Sequence, residues 1–177
     1  MHKAKKSLGL KTTYGFAQSK KALGQNFLKS KIALRKIVEA GEIKKSDVIL
    51  EIGPGRGALT EKLLEKMSDL SEDSPRSGRS GFVIAVEKDH ELFELLKIKF
   101  EKEILEKKLI LINDDILKYE INKPLRQDLS GYKIIANIPY NITGAILKKF
   151  LTEKHQPELM ALMVQYEVAK RIMARDG

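Results

Sequence analysis

Val48-Ile49-Leu50-Glu51-Ile52-Gly53-Pro54-Gly55-Arg56-Gly57 decides how the rest of the chain is read. It opens with a short apolar run rich in β-branched residues, the mark of a strand buried on both faces. Three glycines follow at alternate positions. The next segment runs from Ala58 to Met67 and sets Leu59, Leu63 and Met67 four apart, one stripe of an amphipathic helix. Strand, glycine turn and helix in this order form the first half of a nucleotide-binding βαβ unit, in which glycines allow a tight turn and let a ligand approach bare backbone.

Two cofactors suit such a turn. Gly53-x-Gly55-x-x-Ala58 satisfies a loose dinucleotide fingerprint, and Gly53-x-Gly55-x-Gly57 is the pattern of enzymes that use S-adenosylmethionine (SAM). A purely structural turn carries the same glycines, so residues elsewhere must decide.

The apolar pattern repeats along the chain. Strands are predicted at Phe82 to Glu87, Leu109 to Asn113, Lys133 to Ala136 and Leu159 to Val164. Between them lie helices carrying Leu92, Leu95, Leu96 and Phe100; Ile146, Leu147, Phe150 and Leu151, with Thr143 as the expected cap; and Val168, Ala169 and Ile172. Ahead of the first strand, Ile32, Ala33, Ile37 and Ala40 give a further helical stripe ending at Gly41, the expected C-cap. The polar, Ser/Gly-rich stretch from Asp69 to Gly81 reads as a surface loop. Apolar strands alternating with helices predict an α/β fold: a Rossmann-like, doubly wound, mostly parallel sheet covered on both faces.

The composition, 42% apolar and 32% charged, is that of an ordinary soluble protein. No apolar run approaches the roughly 20 residues of a membrane span, and no export signal is read, so a cytoplasmic protein without membrane contact is expected. The absence of cysteine excludes disulfides and thiolate metal sites. His2, His90 and His155 are scattered and read as surface residues, so no metal is expected. The net charge of +9 is concentrated in residues 1–36, which hold ten Lys or Arg and no Asp or Glu. A basic, flexible arm over residues 1–20 on a near-neutral domain over residues 21–177 points to a polyanionic partner, most simply nucleic acid; a passive solubilising tail is the plain alternative.

In parallel sheets the ligand lies beyond the carboxyl ends of the strands. Those ends carry the Gly53–Gly57 loop, Glu87, Asp115 and Asn137-Ile138-Pro139-Tyr140. Each suits a part of SAM or of its methyl acceptor. The glycines let the methionine half lie on backbone, Glu87 can accept from the ribose hydroxyls, and Asp115 can accept from the adenine amino group or simply cap a helix. The Asn137 side-chain oxygen and a free Pro139 carbonyl would hold an exocyclic amine and stabilise the charge that develops on its nitrogen. Tyr140 would stack on the base.

Taken together, several segments resemble the small-subunit ribosomal RNA adenine N6,N6-dimethyltransferases. They are Leu23-Gly24-Gln25-Asn26-Phe27-Leu28, Glu51 to Thr60, Glu87, Asp115, Asn137 to Ile142, and Val164 to Arg171, and the similarity covers residues 20–177. The resemblance implies a class I SAM-dependent methyltransferase fold and transfer of two methyl groups to each of two adjacent adenines in a hairpin loop near the end of small-subunit rRNA. The enzyme would act as a monomer on an immature small subunit. By that resemblance Asn26 and Leu28 line the cofactor site together with Gly53, Glu87, Asp115 and Asn137, and Gln25 lies close by. The sequence departs from the family's pattern at Tyr166, where Lys is usual, and in its long 69–81 loop. It also ends before the family's last two strands and helical domain, so that a five-stranded sheet with an open edge is expected. Two other readings remain at this point: a non-catalytic assembly factor, and a large-subunit rRNA methyltransferase of the macrolide-resistance type. The dinucleotide oxidoreductase leaves residues 137–140 unexplained.

Overall fold

The computed structural model describes residues 30–72, 80–120 and 131–173. The basic arm, Gln25, Asn26, Leu28 and most of the Asp69–Gly81 stretch lie outside the described residues. The elements run in the order α1 (Lys31–Ala40), β1 (Val48–Ile52), α2 (Ala58–Glu72), β2 (Phe82–Glu87), α3 (His90–Lys99), α4 (Glu101–Leu105), β3 (Leu109–Asn113), β4 (Lys133–Asn137), α5 (Thr143–Thr152), β5 (Leu159–Met163) and α6 (Tyr166–Met173).

The strands form one sheet in the order β3-β2-β1-β4-β5, and all four pairings are parallel. Strands β1 and β2 stay in register over five positions, from Val48 opposite Phe82 to Ile52 opposite Val86. Strands β1 and β4 pair at only two, Ile49 with Lys133 and Leu50 with Ile134. The chain thus winds outward from β1 through β2 to β3, then returns to the other side of β1. That reversal opens a crevice above the carboxyl ends of β1 and β4.

Alternation along the strands divides the core into two layers. Leu50, Ile52, Ile84, Val86, Ile134 and Ala136 face α5 through Ile146 and Phe150. Ile49, Val83, Ala85 and Ile135 face α1, α2 and α3 through Leu34, Ile37, Leu59, Leu63, Leu96 and Phe100. Burying both faces is why the strands read as unbroken apolar runs.

Several helices differ from the sequence expectation. In α1 the buried residues are Leu34 and Ile37, whereas Ile32 is exposed. Gly41 ends this helix in a right-handed conformation, and the left-handed residue is Glu42, at φ 44°. What requires glycine at position 41 is space, since a Cβ there would run into Ile135. Helix α2 continues to Glu72 because Leu70 extends its apolar stripe, so Asp69 to Glu72 are helical rather than loop. Helix α4 was not anticipated; it is short and polar, with only Ile104 packed inward. On α5 and α6, Leu151 and Ile172 are exposed rather than buried. They border an apolar groove with Leu147, Leu162 and Val164, alongside β5. Among the described residues β5 pairs only with β4, which leaves the expected open edge.

At the opposite end of the sheet from the crevice, Lys133 on β4 is clamped. Its Nζ lies 2.8 Å from Asp47 Oδ2, with side-chain exposures of 7% and 12%, and it also donates to the Glu42 carbonyl at 2.5 Å. Asp47 in turn accepts from the Lys44 amide at 2.7 Å. This pair ties the strained turn before β1 to β4 where the β1–β4 ladder is shortest. Lys133→Met is expected to destabilise the fold by about 3 kcal/mol by leaving the largely buried Asp47 carboxylate without its counter-charge. Adding Asp47→Asn should recover part of that loss, as read from urea unfolding midpoints.

Candidate active site

The glycine loop leaves β1 through three residues with positive φ: Gly53 at 62°, Gly55 at 62° and Gly57 at 78°. Its backbone is pinned from below. The Gly53 amide donates to the Val86 carbonyl at 2.9 Å and the Gly57 amide to that of Pro54 at 2.9 Å. The two outer glycines serve different ends. A Cβ at Gly57 would meet the Phe100 ring at 2.5 Å and Leu96 at 2.8 Å, so this glycine lets α2 settle against α3. A Cβ at Gly53 would have nothing within 4 Å among the described residues, so its face is open to a ligand on their side.

Glu87 ends β2 and is buried. Its Oε2 accepts from the Gly55 amide at 2.9 Å and its Oε1 from the Asp89 amide at 2.9 Å. Burial pushes its carboxyl above the usual range, and those two amides pull it part of the way back. Asp89 then caps α3 by accepting from the Glu91 and Leu92 amides. The Glu87 carbonyl takes the Asn113 side-chain amide at 2.8 Å and the Asp114 amide at 3.1 Å. The ends of β2 and β3 are thereby stitched together.

Asp115 opens the turn after β3. It does not cap a helix: its Oδ1 accepts from the Leu117 amide at 3.0 Å within a turn, and its Oδ2 from Lys88 Nζ at 2.8 Å. The Lys88 ammonium holds the Asp115 carboxyl below its ordinary value.

Across the reversal, Asn137 ends β4, half-buried and opposite Met163 of β5. Pro139 follows, and Tyr140 begins a single 3-10 turn leading into α5. Thr143 is the first residue of α5 rather than its cap. Its hydroxyl donates to the Pro139 carbonyl at 3.2 Å, which also accepts from the Ile142 amide at 3.3 Å. The expectation that this carbonyl is free is therefore not met; both contacts are at the long, weak end of hydrogen bonding.

Glu51, in the middle of the opening motif, points into the α2 layer and is fully buried. Among the described residues neither its carboxylate oxygens nor the adjacent buried Thr60 hydroxyl completes a well-formed hydrogen bond, although Thr60 lies close enough to pull on the carboxyl. Desolvation pushes its pKa from 4.5 up to about 8, with Thr60 pulling it partly back and Glu87 adding to the rise. This environment is not legible from the residues alone, because a Glu within an apolar strand looks the same whether paired or not.

The site residues that the sequence predicted and the structure describes thus lie at the carboxyl ends of β1, β2, β3 and β4. Gly55 and Glu87 are in direct contact. The contacts of Lys88 and Thr143 were missed, since neither carries a motif. No group of three or more His, Cys, Asp or Glu among the described residues is arranged to hold a metal ion. No helix among them is long and apolar enough to cross a membrane.

An open parallel sheet in this order, with a glycine turn after its first strand and an acid ending its second, defines a Rossmann-like class I methyltransferase fold. Two solved structures share it: a dimethyladenosine transferase from Plasmodium falciparum, at 29% identity and a TM-score of 0.63 over 85% of this chain and 47% of that one, and the 23S rRNA methyltransferase ErmE, at 26% and 0.61 over 82% and 50%. The family model described as ribosomal RNA adenine dimethylase matches residues 16–177, and the chain belongs to that family. Similar curated proteins are the ribosomal RNA small subunit methyltransferase A of Dehalococcoides mccartyi strain CBDB1, 44% identical over 160 residues, and that of Caldanaerobacter subterraneus subsp. tengcongensis, 38% identical over 162. Each match covers 90% of this chain but only 49% and 54% of the relative, so the chain spans about half the length of these proteins.

Two sets of variants test this geometry. Gly57→Ala is expected to lower the melting temperature sharply, because a left-handed β-carbon would also collide with Phe100 and Leu96. Gly53→Ala should cost only about 1–2 kcal/mol of backbone strain. Far-ultraviolet circular dichroism melts separate the two. For Glu51 the folded state holds its proton more tightly than the unfolded state. Its contribution is therefore fully favourable below pH 4.5 and is lost as pH rises towards about 8, at up to roughly 1.4 kcal/mol per unit. Glu51→Gln should remove that slope from a pH series of urea unfolding curves.

Proposed function

We propose that this chain is the cofactor-binding and catalytic part of a SAM-dependent enzyme that dimethylates N6 of two adjacent adenines in a hairpin loop near the end of small-subunit rRNA, during ribosome assembly. The observation that carries the reading is the arrangement of strand ends: the Glu87 carboxylate fastened to the Gly55 amide beside the open face of Gly53, with Asn137 to Tyr140 across the reversal on β4.

The residues present fit SAM. Gly53 leaves bare backbone for the methionine half. Glu87, drawn up by burial yet fed by two amides, is an acceptor for ribose hydroxyls, and Asp115 is one for the adenine amino group. Gln25, Asn26 and Leu28 complete the cofactor set by the family resemblance, together with Gly55, Gly57 and Asn137. When bound, SAM supplies a methyl group already activated by its sulfonium.

The acceptor base needs no strong general base. The Asn137 side-chain oxygen and the Pro139 backbone carbonyl take the two amine hydrogens and stabilise the charge growing on nitrogen. Pro139 can serve if the long contacts from Thr143 and Ile142 yield. Tyr140 supplies a face for the base, which must first leave its stack at a cost of a few kcal/mol. The basic arm over residues 1–20 would meet the RNA backbone. Several relatives bearing the name small subunit methyltransferase A, at 37–44% identity, favour the small subunit over the large-subunit substrate of ErmE. A cytoplasmic monomer acting on the immature subunit completes the reading. An assembly factor without catalysis is disfavoured by the intact Asn137-Ile138-Pro139-Tyr140.

Calorimetric titration of the 177-residue chain should show saturable SAM binding and no heat with NAD; NAD binding without SAM binding would overturn the cofactor. Asn137→Ala should then lower methyl incorporation into undermethylated small subunits by at least about 100-fold, while SAM affinity stays within a few fold. Turnover equal to wild type would remove Asn137 from the chemistry.

A further inference from the structure

We propose that Lys88 is a specificity-determining residue of the cofactor site, which reads a ring nitrogen of the adenine while Asp115 takes the amino group. This rests on the cofactor reading above and goes beyond it, since that reading gives the adenine a single partner.

The pair spans two loops. Lys88 follows Glu87 at the end of β2, Asp115 follows β3, and Nζ lies 2.8 Å from Oδ2. Both loops are braced. Asn113 Nδ2 donates to the Glu87 carbonyl at 2.8 Å, His90 Nδ1 lies 3.0 Å from Asn113 Oδ1, and Asp115 Oδ1 is held by the Leu117 amide. The ammonium and the carboxylate therefore present a donor and an acceptor side by side beyond the carboxyl ends of β2 and β3. Lys88 is 61% exposed and Asp115 21%, so the Asp115 carboxylate is set and the Lys88 head can adjust.

An adenine edge offers an amino donor beside a ring-nitrogen acceptor, and proteins read that edge with one acceptor and one donor next to each other, as in the amide of Asn or Gln. Here the two halves of such an amide are divided between two side chains. A carboxylate has about four lone-pair sites, so Asp115 can keep its bonds to Leu117 and Lys88 while accepting a further hydrogen. Left in water, an exposed ion pair of this kind contributes little. A purine laid against it would strip that water and strengthen both contacts. An ammonium cannot accept, so it would also repel a base edge that carries hydrogen in place of the ring nitrogen.

The test is calorimetry with S-adenosylhomocysteine and its 1-deaza and 7-deaza analogues, on the wild-type chain, Lys88→Met and Lys88→Arg. Wild type should lose about tenfold in affinity for one of the two analogues. Lys88→Met should bind the parent compound about tenfold more weakly and show no additional loss with that analogue, whereas Lys88→Arg retains the wild-type pattern. Because Lys88 is mostly exposed, the variants should melt with wild type. Equal weakening of all three ligands in Lys88→Met would make the residue a loop brace, and no weakening would make it a surface ion pair; either overturns the proposal. A wild-type chain that binds none of the three overturns the cofactor reading itself, and this assignment with it.

Discussion

The hydrogen bond from the Gly55 amide to the buried Glu87 carboxylate is the contact on which the rest of the crevice depends. The three left-handed glycines of the loop contribute no side chains of their own with which to hold it. Its shape must be imposed by neighbours, and Glu87 does so from the adjacent strand. The same residue's carbonyl gathers Asn113 and Asp114 from β3. One acid thus sets the loop after β1 and the turn after β3 at once. Its cost is desolvation, visible in the upward shift of its carboxyl, and that cost is offset by amides which cannot move away.

Below that contact the molecule is conventional in its physics. Two apolar layers enclose the sheet, and the polar groups that enter them are either paired, as Lys133 is with Asp47, or held neutral by their surroundings, as Glu51 is near neutral pH. The two solutions lie at different places along the sheet. At the amino ends of the strands the buried charge is compensated and serves the fold. Beneath the glycine loop the buried carboxyl of Glu51 keeps its proton instead, a perturbation more common where a fold serves a site.

Much of this was legible in the sequence. The β2 and β3 boundaries agree with the apolar runs, because strands buried on both faces leave no alternation to misread. The strand-end residues Gly53, Glu87, Asp115 and Asn137 could be named because a parallel sheet brings its carboxyl ends to one side. What escaped was whatever depended on a neighbour distant in sequence. The periodicity of α1 identified a helix but not which flank it would bury, so Ile32 was placed inward in place of Leu34. Helix α4 carries no stripe at all and rests on α3 and β3. Gly41 looked like a left-handed cap, yet the constraint on it comes from Ile135 in β4, more than ninety residues away. Thr143 looked like a cap for the same local reason, while its hydroxyl turns back to Pro139.

The short seam between β1 and β4 has a mechanical consequence. Five rungs join β1 to β2, but two join β1 to β4, and both lie towards the amino ends. Above Leu50 and Ile134 the two strands run on as neighbours with no further paired position, so the seam beneath the site leans on the apolar layers to either side more than on its own ladder. The glycine loop with Glu87 on one side and the turn with Asn137 on the other are kept in step by side chains such as Ile52 and Ala136 rather than by backbone rungs. Precision at the top of this sheet is therefore a property of packing, and a change of one methyl group in that layer would be felt by both halves of the site.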